Sequence, residues 1–180
     1  MKGIVFTEFL EMTEAKFGFK MVDKIIIESD LASGGIYTTV GTYDEEEFFI
    51  LLDKLSKEVL IDKKVLLVYL GEQLCAGWMQ KNNCSLLIHK PGDTFLDRFE
   101  NYIKNGTPVL YSKSMLPEIE LNHFDKNKLV ITYHVAKRVA DLIEGMIIGS
   151  INLCKEKIKV FKQDSLISNE SAYTFTLEKQ

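Results

Sequence analysis

The hydrophobic period changes once along this chain, and that change limits the fold more than any single motif does. Up to about residue 105 the apolar side chains recur at three- and four-residue spacing, the repeat of a helix with one buried face. Beyond residue 118 they alternate, as in strands buried on one side. Phe6, Phe9, Leu10, Thr13 and Phe17 lie on one helical stripe, and Gly18 is a natural stop. Met21, Val22, Ile25 and Ile26 face inward from a short helix over about 20–29. The stretch from Ser33-Gly34-Gly35 to Gly41-Thr42 is too rich in glycine for a helix and predicts a loop. Asp44 with Glu47 three residues on reads as a capping box ahead of Phe48, Phe49, Leu51, Leu52 and Leu55. Asp62 can cap a helix carrying Val65, Leu66, Tyr69, Leu74 and Trp78. A further helix, from about Asp93, holds Phe95, Leu96, Phe99, Tyr102 and Ile103 on one face.

In the second half Ile119 and Leu121 alternate with Glu118 and Glu120, and Leu129, Ile131, Tyr133 and Val135 repeat the pattern after a turn at Asp125-Lys126-Asn127. Residues 137–154 return to helical spacing with Val139, Leu142, Ile143, Met146 and Ile147 inward, and two more strands are expected around 157–162 and 172–177. Helices first, then a small antiparallel sheet crossed by one helix, define an α+β domain. With no linker or internal repeat, one domain spans 1–180, its helical part about 1–105 and its sheet-containing part about 106–180.

Charge narrows the partners. The net charge is −4 and the lysines are interleaved with acids, so no basic patch recommends nucleic acid or an anionic membrane. The three cysteines, Cys75, Cys84 and Cys154, lack metal-ligand spacing and read as reduced thiols. The N-terminal run is broken by Glu8, Glu11 and Glu14, unlike a signal peptide. The longest apolar stretch, Met146 to Leu153, is too short to span a bilayer, and a cytoplasmic protein is expected.

Three blocks carry a family resemblance: Met1-Lys2-Gly3-Ile4-Val5-Phe6, the run Gly34-Gly35-Ile36-Tyr37-Thr38-Thr39-Val40-Gly41-Thr42-Tyr43, and Ala140-Asp141-Leu142-Ile143-Glu144-Gly145. In this order they resemble the H-NOX family, haem domains that bind nitric oxide or oxygen, and the resemblance extends to about Val160. It implies a haem cofactor, a histidine on a helix as iron ligand, and a stand-alone bacterial signalling domain. Its implied partners are histidine kinases or cyclic-dinucleotide enzymes. The position matching the iron-binding histidine is Lys104, and Pro117, thirteen positions on, matches the family's conserved proline. The family's Tyr-x-Ser-x-Arg clamp for the haem propionates is represented by Tyr133, Val135 and Lys137. Valine removes one hydroxyl, and lysine cannot make the two-pronged contact of a guanidinium with a carboxylate.

A lysine ligand must first be neutral, which at pH 7 costs roughly 4–5 kcal/mol for an amine of ordinary pKa. Periodicity also places Lys104 with Asp97 and Glu100, opposite the apolar face, and Glu100 to Lys104 is the favourable i,i+4 order. The distal wall implied by the resemblance comprises Val5, Phe9, Leu74, Trp78, Leu142 and Met146, and Leu142 stands where oxygen-binding members carry a tyrosine. These residues line an apolar pocket or simply fill a core.

His89, His123 and His134 have no metal-ligand partner at usable spacing, and no nucleophile–base pair or phosphate loop is present. The expectation is a non-catalytic sensory or adaptor domain with no metal and no haem, which binds an apolar small molecule or a signalling protein. The alternatives are a haem-dependent gas sensor with a non-histidine ligand, and a purely structural interaction domain.

Overall fold

The left-handed backbone at Gly18, φ 85°, ends one helix and starts the next without a linker: α1 (Gly3–Phe17) turns directly into α2 (Phe19–Ile27). The computed structural model describes residues 1–81, 85–88, 91–104, 118–167 and 170–180. Within them follow α3 (Glu45–Val59), α4 (Lys63–Lys81), a 3-10 turn (Ser85–Leu87), α5 (Phe95–Lys104), β1 (Ile119–Asp125), β2 (Lys128–His134), α6 (Lys137–Leu153), β3 (Ile158–Ile167) and β4 (Glu170–Lys179). The strands form one antiparallel sheet in the order β1-β2-β4-β3. This is the α+β order read from the two periods.

Leu129, Ile131 and Tyr133 on β2 stand opposite Leu177, Phe175 and Tyr173 on β4, and all six side chains are buried. Helix α5 lies against β2, and α6 against β3 and β4. Helix α6 also crosses α4 so closely that β-carbons are excluded. One added at Gly71 would overlap the Leu142 carbonyl oxygen, one at Gly145 the Val68 carbonyl oxygen, and one at Gly149 the backbone of Glu72.

Several local expectations change. Asp44 caps α3 through the Glu46 amide at 3.0 Å, but Glu47 does not complete a capping box. Its buried carboxylate instead accepts from the Ser33 amide at 3.1 Å and the Tyr37 hydroxyl at 2.7 Å, pinning the glycine-rich loop to α3. Val65 faces solvent, because α4 turns Leu66, Leu67 and Leu70 into the core instead. The capping role near Asp93 belongs to Thr94, whose hydroxyl lies 2.7 Å from Asp97 and accepts from the Asp97 amide. The last two strands are longer than expected, since their ten-residue pairing runs past the apolar positions.

Candidate functional site

Position 104 is the last residue of α5. Phe95, Leu96, Phe99, Tyr102 and Ile103 bury the inner face of that helix, as their spacing predicts. Lys104 lies on the opposite side with 56% of its side chain exposed, and its ammonium is 2.6 Å from Glu100 one turn back. An ammonium engaged in that ion pair has no lone pair to offer a metal.

The second group of positions sits where β2 passes into α6. Tyr133 is buried on the sheet's inner face, its ring edge-on to Phe175 at 6.0 Å. Burial pushes its phenol well above the ordinary value, so it is a neutral hydroxyl at any physiological pH. Val135 is half-buried against the core and brings no hydrogen-bonding group. Lys137, the first residue of α6, is exposed and makes no ion pair among the described residues. Pro117 lies outside the described residues, as do His89, Cys84 and the side chains of Trp78 and His123.

The third group is apolar. Val5, Phe9 and Leu142 leave no surface that water can touch, and Leu74 almost none. Phe9 packs edge-on to Phe48 at 5.4 Å within an aromatic cluster that includes Phe6, Tyr37 and Tyr43. Met146 is half-buried against the same core. An opening wide enough for a flat ring beside Val5, Phe9 and Leu142 would expose their carbons, and these carbons touch protein instead.

Two buried charged arrangements carry no sequence motif. Arg98, 5% exposed, donates to the Leu86 carbonyl at 3.1 Å and reaches Glu156 at 3.5 Å, joining α5 to the turn after α6. Lys162 on β3 pairs with Asp141 and, at 3.2 Å, with Glu144, both on α6. The alternation of β3 did carry a signal for the second: Val160, Lys162 and Asp164 share the inward parity. His134 is an outward residue of β2 and lies 3.1 Å from Glu120 across the strand pair.

Comparison with known proteins gives the family and the fold. The chain matches the haem-NO-binding family over residues 2–162, and it belongs to that family. It is similar along its whole length to the unliganded Fe(II) H-NOX protein from K. algicida, at 29% identity and a TM-score of 0.82, covering 97% of that chain. The H-NOX from Shewanella woodyi, solved with IWP-051 bound in its Fe(II)CO state, is 25% identical, with a TM-score of 0.78 and 95% of that chain covered. The S. oneidensis H-NOX in its Fe(II)NO state, 18% identical, covered over 99% of its chain and with a TM-score of 0.77, shares the fold. No curated protein matches the sequence significantly.

Family membership implies haem, and the donor set here can be tested against it. Axial ligation requires a free lone pair, and the Lys104 ammonium is engaged by a carboxylate. Propionate clamping requires hydroxyls and a guanidinium, and of the three positions only Tyr133 supplies such a group. The described residues do not fit a haem held in the family's manner. Among them no helix is long and apolar enough to cross a membrane, and no three metal-binding side chains cluster.

Proposed function

We propose that this chain is an H-NOX domain that works without haem, as a non-catalytic sensory or adaptor domain in the cytoplasm. The observation that carries the reading is the Lys104–Glu100 pair, which puts a charged, exposed residue at the iron-ligand position. The closed packing of Val5, Phe9 and Leu142 supports it, because a domain with that wall has little room for a porphyrin ring. Such a domain signals through its surface. A signalling protein such as a histidine kinase or a cyclic-dinucleotide enzyme is the partner proposed by kinship, and an apolar small molecule is the alternative ligand.

The decisive experiment is absorption and iron analysis of the unaltered protein, expressed with abundant haem. The expected spectrum has no stoichiometric Soret band. A full-occupancy band that shifts with nitric oxide or carbon monoxide would overturn the reading and favour a gas sensor with a non-histidine ligand. Tyr133, retained from the clamp, and Pro117, matching the family's conserved proline, are the site residues that favour that second reading.

A further inference from the structure

A cleft of about 640 Å3 opens between α3, the start of α4 and the start of α6, away from the core positions above. Its size falls within the roughly 300–1,000 Å3 typical of small-molecule sites. Apolar side chains lie beneath it: Phe49, Leu52 and Leu67 are almost fully buried, and Ile50, 43% exposed, offers open apolar surface in the lining. The walls carry four acids (Glu46, Asp53, Asp62 and Asp141) and four bases (Lys63, Lys64, Lys137 and Arg138), so formal charge alone selects nothing.

The pairing of those charges does select. Glu46 is held by Arg138, whose guanidinium also stacks on Phe49 at 3.9 Å. Asp141 is held from beneath by Lys162. Asp62 caps α4 by accepting from the Lys64 amide at 2.8 Å, and Asp53 takes Lys63 at 2.7 Å. Every acid is committed. Two bases are not: Lys137 has no ion pair among the described residues, and Lys64 reaches only Glu144, at 3.7 Å. An apolar floor beneath two loosely held ammonium groups suits an apolar molecule ending in one carboxylate.

We propose that this cleft is an effector site for a small amphipathic carboxylate, with its apolar body on Ile50 and its charge drawn to Lys64 and Lys137. The sheet senses occupancy through Glu144. This residue lies between Lys64 on α4 and Lys162 on β3, so a ligand that draws Lys64 away leaves its carboxylate to Lys162. A contact at the mouth of the cleft thereby alters the ion pair that joins α6 to the edge strand. The site shares Lys137 with the positions matching the propionate clamp but does not include the iron-ligand position, and its remaining lining lies outside the haem-site positions.

The test is an NMR titration of the whole 15N-labelled chain with 4-phenylbutyrate, using 4-phenylbutyramide as the uncharged control. Saturable shifts are expected at residues 49–67 and 136–141, with the amide weaker by about tenfold. Lys137→Ala should weaken the carboxylate several-fold and leave the amide unchanged. Glu144→Gln should keep binding yet lose the accompanying shifts at residues 160–164, and its unperturbed spectrum checks that it is folded. No saturation by about 10 mM, shifts scattered over the surface, or equal response to acid and amide would each overturn the site. Unchanged shifts at 160–164 in Glu144→Gln would overturn the coupling alone. A Soret band in the same sample bears on the haem-free reading and not on this one.

Discussion

The ammonium of Lys104 sits 2.6 Å from the carboxylate of Glu100, so the residue at the iron-ligand position is satisfied within its own helix. Exposed i,i+4 pairs of this kind contribute only about 0.3–0.5 kcal/mol. Lys104→His should therefore leave stability almost unchanged. It should also produce no stoichiometric Soret band, because Val135, Lys137 and the closed wall of Val5, Phe9 and Leu142 remain. Absorption after haem reconstitution checks this. Full haem uptake by the single variant would mean that position 104 alone had blocked the site.

Gly145 and Gly77 should respond in opposite ways to alanine. At Gly145 a β-carbon would strike the Val68 backbone across the α4–α6 crossing, and overpacking of that kind costs about 1–3 kcal/mol. At Gly77 the nearest outside atoms are Glu8 carboxylate oxygens 3.8 Å away, so the gain in helix propensity, up to about 1 kcal/mol, should show. Urea denaturation of the two variants measures the contrast.

Lys162→Met should destabilise the fold by about 3–5 kcal/mol, because Asp141 would keep its buried charge without its partner. Adding Asp141→Asn and Glu144→Gln to the same variant should recover most of the loss. Thermal denaturation of the single and triple variants separates a missing charge partner from a packing defect, which the triple variant would not repair.

Alkali should reveal protected tyrosines, Tyr37 and Tyr133 chief among them. Tyr133 is raised by burial, and Tyr37 chiefly by burial with the Glu47 carboxylate adding to it. Both folded-state values lie above those of the unfolded chain, so the unfolded state loses these protons first. Their contribution to stability is fully present below about pH 10 and declines as the pH rises toward the folded-state values. Phenolate absorbance should show Tyr37 and Tyr133 ionising only above the ordinary tyrosine range or on unfolding. Normal titration of all seven tyrosines in the folded protein would contradict this.

Local rules had their successes and a clear boundary. Gly18, Asp62 and the Asp125–Asn127 turn were readable because each acts within four residues through backbone hydrogen bonds. Glu47 shows where that reading stops. Its spacing from Asp44 suggests a cap, yet it bonds Ser33 and Tyr37, which only the path of the glycine-rich loop brings to it. Arg98 and Glu156 are fifty-eight positions apart, and no periodicity announces such a contact. Val65 was misplaced because a helix as apolar as α4 offers more hydrophobic positions than one face can bury.

The sequence by itself determined the order of elements, the α+β class, the kinship with haem-NO-binding domains and the lysine at position 104, which the resemblance matches to the family's iron-binding histidine. These follow from period, short-range caps and residue identity, which the chain carries without being folded. Tertiary structure decided how closely Val5, Phe9, Leu74 and Leu142 are packed, which charge each buried ion met, and where a cleft remained. Packing and pairing join residues far apart in the chain. They put Lys104 beside Glu100 at the helix surface and packed Val5, Phe9 and Leu142 against their neighbours, and they left the open volume beneath Lys137.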